Sequence, residues 1–190
     1  MKAIKYALLS TVAFASFANA GTVSDLFDGV SVGAGYINES GSEGGIKGES
    51  DRSDGFEIYS QAPINDYLFV DSRYSWTQED FEGVTYPGGS AQKTADLKRT
   101  HFQTSLGAGY PFQVSQSIQL KPFVKTGWSW DKSKLDSIFG YLGSKSDNSF
   151  TLGTGVEAQF GHHFVSTVNY TKETSGFKME QVSFDLGYRF

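Results

Sequence analysis

Three histidines and no cysteine are what this 190-residue chain offers for thiol or soft-metal chemistry, so any reactive centre must be built from histidine, serine or threonine and carboxylates. Activating a hydroxyl needs an imidazole within hydrogen-bond reach, with a carboxylate to orient it. His163 and Ser166 are three residues apart and project from opposite faces of a regular strand. His101 has Thr104 and Ser105 nearby in sequence, but no His-x-Ser element comes with a supporting carboxylate. His162 and His163 are adjacent, which in a strand points them apart and suits them better to a turn. The Gly-x-Gly elements at Gly33–Gly35, Gly107–Gly109 and Gly153–Gly155 are not followed by a helical pattern, which a phosphate-cradling loop needs. No catalytic, cofactor-binding or metal-ligating residue is assigned, and no cofactor is expected.

The informative charges are of another kind. Glu57, Asp71, Arg73, Lys121, Lys125, Glu157, Asp185 and Arg189, four of each sign, each fall on the small, polar side of an alternating run. Period-two alternation holds almost throughout after Gly29, and eight runs are predicted as strands: about 30–38, 55–64, 67–79, 98–112, 117–131, 149–160, 164–172 and 180–190. In strand 67–79, for example, Leu68, Val70, Tyr74 and Trp76 oppose Asp71, Arg73 and Ser75. Phe69, Phe123 and Val165 break the rule by standing on the polar side. Links alternate in length. Those at 64–66, 113–116 and 161–163 are tight; those at 38–54, 80–97 and 132–148 are long, polar and rich in Gly, Ser, Asp and Lys. Only 174–178 is short on the long-loop side. The segment Val32-Gly33-Ala34-Gly35-Tyr36 is echoed by Leu106-Gly107-Ala108-Gly109-Tyr110.

The first twenty residues differ in kind. Lys2 and Lys5 precede an apolar stretch from Ala7 to Phe17 and a small-residue site, Ala18-Asn19-Ala20. That is a secretory signal peptide, residues 1–20, too short at its apolar centre to span a membrane, leaving one domain, 21–190. Without Lys2 and Lys5 the 16 basic residues fall to 14 against 21 acids, a formal charge of −7. No basic stripe is available to displace phosphate counterions, so a nucleic-acid partner is not expected. An exported domain without disulfides must draw stability from a core, an oligomer or lipid. The chain is 38% hydrophobic, with 15% aromatic residues and 22 glycines.

Which face turns inward decides between water and lipid. A barrel of eight strands has an interior just wide enough for side chains to fill it. One face here carries bulky rings, the other glycine and serine with a few long charges. The rings would overfill a narrow interior, and small residues fit it. Facing hydrocarbon, a mid-strand Arg or Lys costs about 2–4 kcal/mol, whereas inside a lumen it can pair. The expectation is therefore rings outward and the eight charges inside as a lumen network. Tyr36, Tyr74, Trp76, Phe102, Trp128, Trp130, Phe150 and Tyr170 gather near the long-loop ends as one aromatic girdle. A second belt, Tyr67, Phe112, Phe160, Phe164 and Phe190, marks the tight-turn ends.

The pattern resembles the small outer-membrane barrels of the OmpX/Ail, opacity-protein and OmpA-barrel group over nearly the whole mature chain. The most specific part is the C-terminus, Val182-Ser183-Phe184-Asp185-Leu186-Gly187-Tyr188-Arg189-Phe190. Its alternating apolar residues and terminal Phe are similar to the signal read by the outer-membrane assembly machinery, implying that role for Phe184, Leu186, Tyr188 and Phe190. The resemblance implies an all-β, eight-stranded antiparallel up-and-down transmembrane β-barrel with short periplasmic turns and longer extracellular loops, located in the cell outer membrane. Its implied partners are outer-membrane lipid and lipopolysaccharide, the assembly machinery, and an extracellular partner met through the loops. Some such barrels are lipid A-modifying enzymes using a His-Ser pair, which does not match here. Acids of the first long link (Glu39, Glu43, Glu49, Asp51, Asp54) would gather divalent ions among lipopolysaccharide phosphates, or simply be solvated. The expected function is a non-enzymatic structural or surface-interaction barrel. A narrow porin-like channel and a soluble periplasmic lipocalin-like ligand-binding barrel are the alternatives.

Overall fold

A computed structural model describes residues 28–41, 52–82, 93–137, 140–175 and 178–190. The signal-peptide residues and Glu43, Glu49 and Asp51 lie outside the described residues.

Alternation becomes strand in nine segments: β1 Ser31–Ser40, β2 Arg52–Pro63, β3 Leu68–Glu82, β4 Lys93–Gly109, β5 Phe112–Ser115, β6 Ile118–Ser137, β7 Gly140–Phe160, β8 Phe164–Glu173 and β9 Glu180–Arg189. Pro111 lacks the N–H that would continue the ladder, so β5 resumes after it as a short continuation of β4. Both segments pair with β6, so the nine segments build eight staves. Every pairing is antiparallel between neighbours, and β1 pairs with β9 from Ser31↔Arg189 to Ser40↔Glu180. The sheet thereby closes into the eight-stranded barrel expected, with no edge strand left unpaired.

The strands outrun the sequence pattern. The 132–148 stretch, predicted as loop, is mostly ladder: β6 and β7 stay paired up to Ser137↔Gly140. Polar residues on both faces erased the alternating signal there, yet Ser, Lys and Leu in extended backbone still satisfy each other's peptide groups across the hairpin. At the opposite end the turns are tight, as expected. Asn65 Oδ1 accepts from the N–H groups of Tyr67 and Leu68, which shapes the β2–β3 turn. Gly161 takes a positive φ of 63° between β7 and β8, where a side chain would be strained.

Rings and charges divide between the two faces. Leu186 is 61% and Trp128 44% exposed, whereas Arg73 and Lys125 are 3% and 4% exposed. A water-soluble barrel reverses that order, and an apolar exterior around a polar interior suits lipid. Phe69, Phe123 and Val165, the breaks in the alternation, are buried inside, with Phe69 and Phe123 edge to face at 5.5 Å between ring centroids. Glycine makes the space: a Cβ on Gly107 would strike the Phe69 ring, and one on Gly155 the Phe123 ring. One outer-face expectation shifts: Tyr74 is covered by Trp76, whose ring stands 4.5 Å away at 78°. Val30 is buried where the chain enters the barrel.

Candidate functional site

The lumen is where the polar chemistry converges, and register places each group. Arg73 projects inward from the middle of β3. Its Nη1 donates to Glu57 of β2 (2.7 Å) and Asp185 of β9 (2.8 Å), and its Nε to Asp71 (3.0 Å). Lys125 of β6 reaches across the barrel to Asp71 at 2.7 Å. All five side chains are buried, with the guanidinium also 5.1 Å from the Tyr59 ring centroid. Three carboxylates and two cations thus bind four strands to one another through the centre. Burying such charges is costly unless each is paired and hydrogen-bonded, and here each finds an opposite charge.

A second cluster lies toward the tight-turn end. Glu157 of β7 accepts from Arg189 Nη2 (2.7 Å) and Gln61 Nε2 (2.8 Å), with Lys121 Nζ at 3.9 Å. Arg189 also donates to Gln159 and to Ser31. Between the two clusters stand Phe69 and Phe123, and Lys121 Nζ sits 4.6 Å from the centre of the Phe69 ring. A vestibule of about 620 Å³ opens at this mouth, lined by Gln61, Tyr67, Tyr110, Gln119, Lys121 and Arg189 among others. The next inward residues along the strands are the two buried phenylalanines and then the Arg73 cluster. The eight charges singled out in the sequence therefore form two ion-paired groups, split by an aromatic layer.

A third group, at the long-loop end, was not singled out by the sequence pattern. His101 of β4, Asp131 of β6 and Glu173 of β8 meet inside the barrel. His101 Nδ1 lies 2.5 Å from Asp131 Oδ1 and 3.8 Å from Glu173 Oε1. Ser129 Oγ is within hydrogen-bond distance of both carboxylates, at 3.1 and 2.8 Å. Nearby, Glu39 accepts from Thr77 Oγ1 (2.7 Å) and Gln181 Nε2 (3.0 Å). Glu39 is thus an interior residue and not a solvated loop acid, while Asp54 accepts from Tyr36 and Asn38 on the outer side. The three donors come from three separate strands, and only the β4–β6 register, His101↔Asp131, together with barrel closure brings them together. A sequence signal existed, since His101, Asp131 and Glu173 all occupy inward positions near strand ends, but spacing alone relates none of them.

The remaining histidines are occupied otherwise. His163 Nδ1 is 2.9 Å from the Arg189 carbonyl, and its ring stacks on Tyr188 at 5.0 Å. Outside, Trp128, Trp130, Trp76, Tyr36, Phe150 and Tyr170 are exposed toward the long-loop end, with Phe102 stacked on Trp130 at 5.5 Å. Beyond them on the same face, Lys98 pairs in register with Lys134, and Thr100 with Lys132. These residues line a groove of about 480 Å³ shared with Phe56 and Trp76. Phe184, Leu186, Tyr188 and Phe190 all project outward along β9.

Comparison with known proteins agrees with this geometry. A family model described as outer membrane protein beta-barrel domain matches residues 6–190. Among solved structures, Ail of Yersinia pestis is 21% identical, covering 86% of this chain and 99% of its own, with a TM-score of 0.54. Neisserial surface protein A is 16% identical over 85% and 96%, at 0.53. OprG of Pseudomonas aeruginosa is 12% identical over 85% and 95%, at 0.56. No curated protein sequence matches the chain.

The central network makes a quantitative prediction. Replacing Arg73 with Leu leaves Asp71, Glu57 and Asp185 buried around Lys125 alone, and should cost about 3–5 kcal/mol of unfolding free energy, measured by urea titration of the folded barrel in detergent. Lys172→Met removes the exposed pair with Glu180 (2.6 Å) and should leave the unfolding midpoint unchanged. Equal effects from the two substitutions would show that the interior network carries no special share of stability.

Proposed function

The chain belongs to the outer membrane protein beta-barrel domain family, it resides in the cell outer membrane, and from that premise we propose a non-enzymatic structural and surface-interaction role for it. The observation that carries this reading is the filled lumen: the Phe69–Phe123 layer lies between two ion-paired clusters, which span the interior through Arg73–Asp185 and Gln61–Glu157. A solute passing through would have to displace buried, mutually bonded charges. That favours a rigid platform over a channel, and the described lumen residues, ion-paired and ring-filled, do not favour a lipocalin-like ligand site. In planar lipid bilayers the purified protein should give no steady single-channel steps. Reproducible unitary conductance would overturn this and favour the narrow porin-like reading.

The outer rim supports the partners. Lys98, Lys132 and Lys134 stand just beyond Trp76 and Trp130, at the height where phosphates of lipopolysaccharide meet a girdle of rings. Lys98 and Lys134 are directly opposed like charges; Asp136 already stands 3.7 Å from Lys98 Nζ, and a further anion would relieve the repulsion that remains. An Ail structure carries the heparin analogue sucrose octasulfate, and a polyanionic extracellular partner would find the same cations here. The barrel should therefore unfold at a higher temperature in lipopolysaccharide-containing nanodiscs than in zwitterionic ones. A Lys98→Glu/Lys132→Glu/Lys134→Glu variant should lose most of that gain; an unchanged gain sinks the assignment.

Export and assembly follow from the two ends of the chain. Residues 1–20 act as a cleaved signal peptide, and Phe184, Leu186, Tyr188 and Phe190 present the outward row that the assembly machinery reads. Full-length protein from the outer membrane should begin at Gly21 by N-terminal sequencing. A variant lacking Phe190 should be cleaved at the same place but accumulate in the periplasm. Normal outer-membrane yield from that variant would remove the targeting role.

A further inference from the structure

We propose that His101, Asp131 and Glu173 form a binding site for a divalent transition metal of the zinc class, set inside the lumen at its extracellular end. One nitrogen and two carboxylate oxygens, one from each residue, all lie within 4.8 Å of one another, and all three residues are buried. Metal–ligand bonds of about 2.0–2.2 Å put neighbouring donors of a zinc site roughly 3 Å apart, which the 2.5 and 3.8 Å separations here bracket. A metal entering between Nδ1 and Oδ1 takes the place of the proton they share. Ser129, whose single hydroxyl proton is within reach of either carboxylate and closer to that of Glu173, is placed to orient a ligand as an outer hydroxyl often does around a metal.

Charge at this end of the lumen points to a missing cation: among the described residues, it buries Glu39, Glu79, Asp131 and Glu173 against Arg99 and His101. Even a protonated imidazole leaves carboxylates in excess, and in a low-dielectric interior their repulsion is only weakly screened. A dication at the triad offsets it. A mixed imidazole and carboxylate set suits Zn²⁺ and its first-row neighbours; Ca²⁺ would ask for six to eight oxygens. Entry is from the extracellular mouth, since the Arg73 cluster and the aromatic layer block the other side.

The test uses the mature barrel purified from outer membranes in detergent, stripped with a chelator and titrated with Zn²⁺ by calorimetry. Wild type should bind one Zn²⁺ per chain, and Co²⁺ in its place should give d–d absorption bands. His101→Ala should abolish binding, and Glu173→Gln, which keeps the side chain's volume, should weaken it about tenfold or more. Heat-modifiable gel migration confirms that each variant is folded; should His101→Ala not fold, Glu173→Gln decides. His162→Ala/His163→Ala, which removes the paired histidines of the periplasmic turn, should bind as wild type does. A wild-type barrel that takes up no Zn²⁺ overturns the proposal, as does uptake that survives at full strength in Glu173→Gln or disappears with the turn histidines.

Discussion

Hydrocarbon offers a peptide group no hydrogen-bond partner, so a sheet that crosses it must have no edge. The ladder between β1 and β9, ten register pairs from Ser31↔Arg189 to Ser40↔Glu180, meets that requirement, and the rest of the molecule is arranged around it. Closure forces every strand to send alternate side chains to lipid and to the lumen. The number of staves sets how much lumen there is. With eight, the inward row must be small wherever a large group projects from across the barrel, as Gly107 is before Phe69 and Gly155 before Phe123.

A lumen this narrow and largely shut from water changes what a charge is worth. Asp71, Glu57 and Asp185 around Arg73 and Lys125 are held at 2.7–3.0 Å in a space where removal of either cation leaves buried carboxylates uncompensated. The same pairing that makes the charges tolerable also fills the middle of the lumen, so the stability of the barrel and the proposed closure to solutes share one cause. At the extracellular end the balance is different. Among the described residues, carboxylates outnumber cations there, and the His101 triad is the place where that excess can be met by something from outside the chain.

The exterior follows a complementary order. Rings at Trp76, Trp128, Trp130 and Phe150 give way within a few residues to Lys98, Lys132 and Lys134, interleaved with Asp54 and Asp136, so an apolar band ends in a charged step before the extracellular hairpins begin. Those hairpins carry the ladder of β6 and β7 well past the rings. A stiff extension held above a rigid barrel suits presentation to other molecules at the cell surface.

The fold was legible in the residues because alternation, turn composition and side-chain size are local properties. Leu186 and Tyr188 against Asp185 and Gly187 already separate a lipid face from a lumen face, and Asn65-Asp66 and Gly161 already mark turns. Which charges belong together was legible only in part. Sequence could say that Glu57, Arg73, Lys125 and Asp185 point the same way. It could not say that Arg73 serves three acids at once, that Phe69 and Phe123 split the charges into two groups, or that His101 meets Asp131 and Glu173. Those contacts join residues up to 112 positions apart, and their partners are set by cross-strand register and by closure. Period two assigns a residue to a face; only the assembled barrel assigns it a neighbour, because what stands opposite across a lumen depends on where every other strand has come to rest.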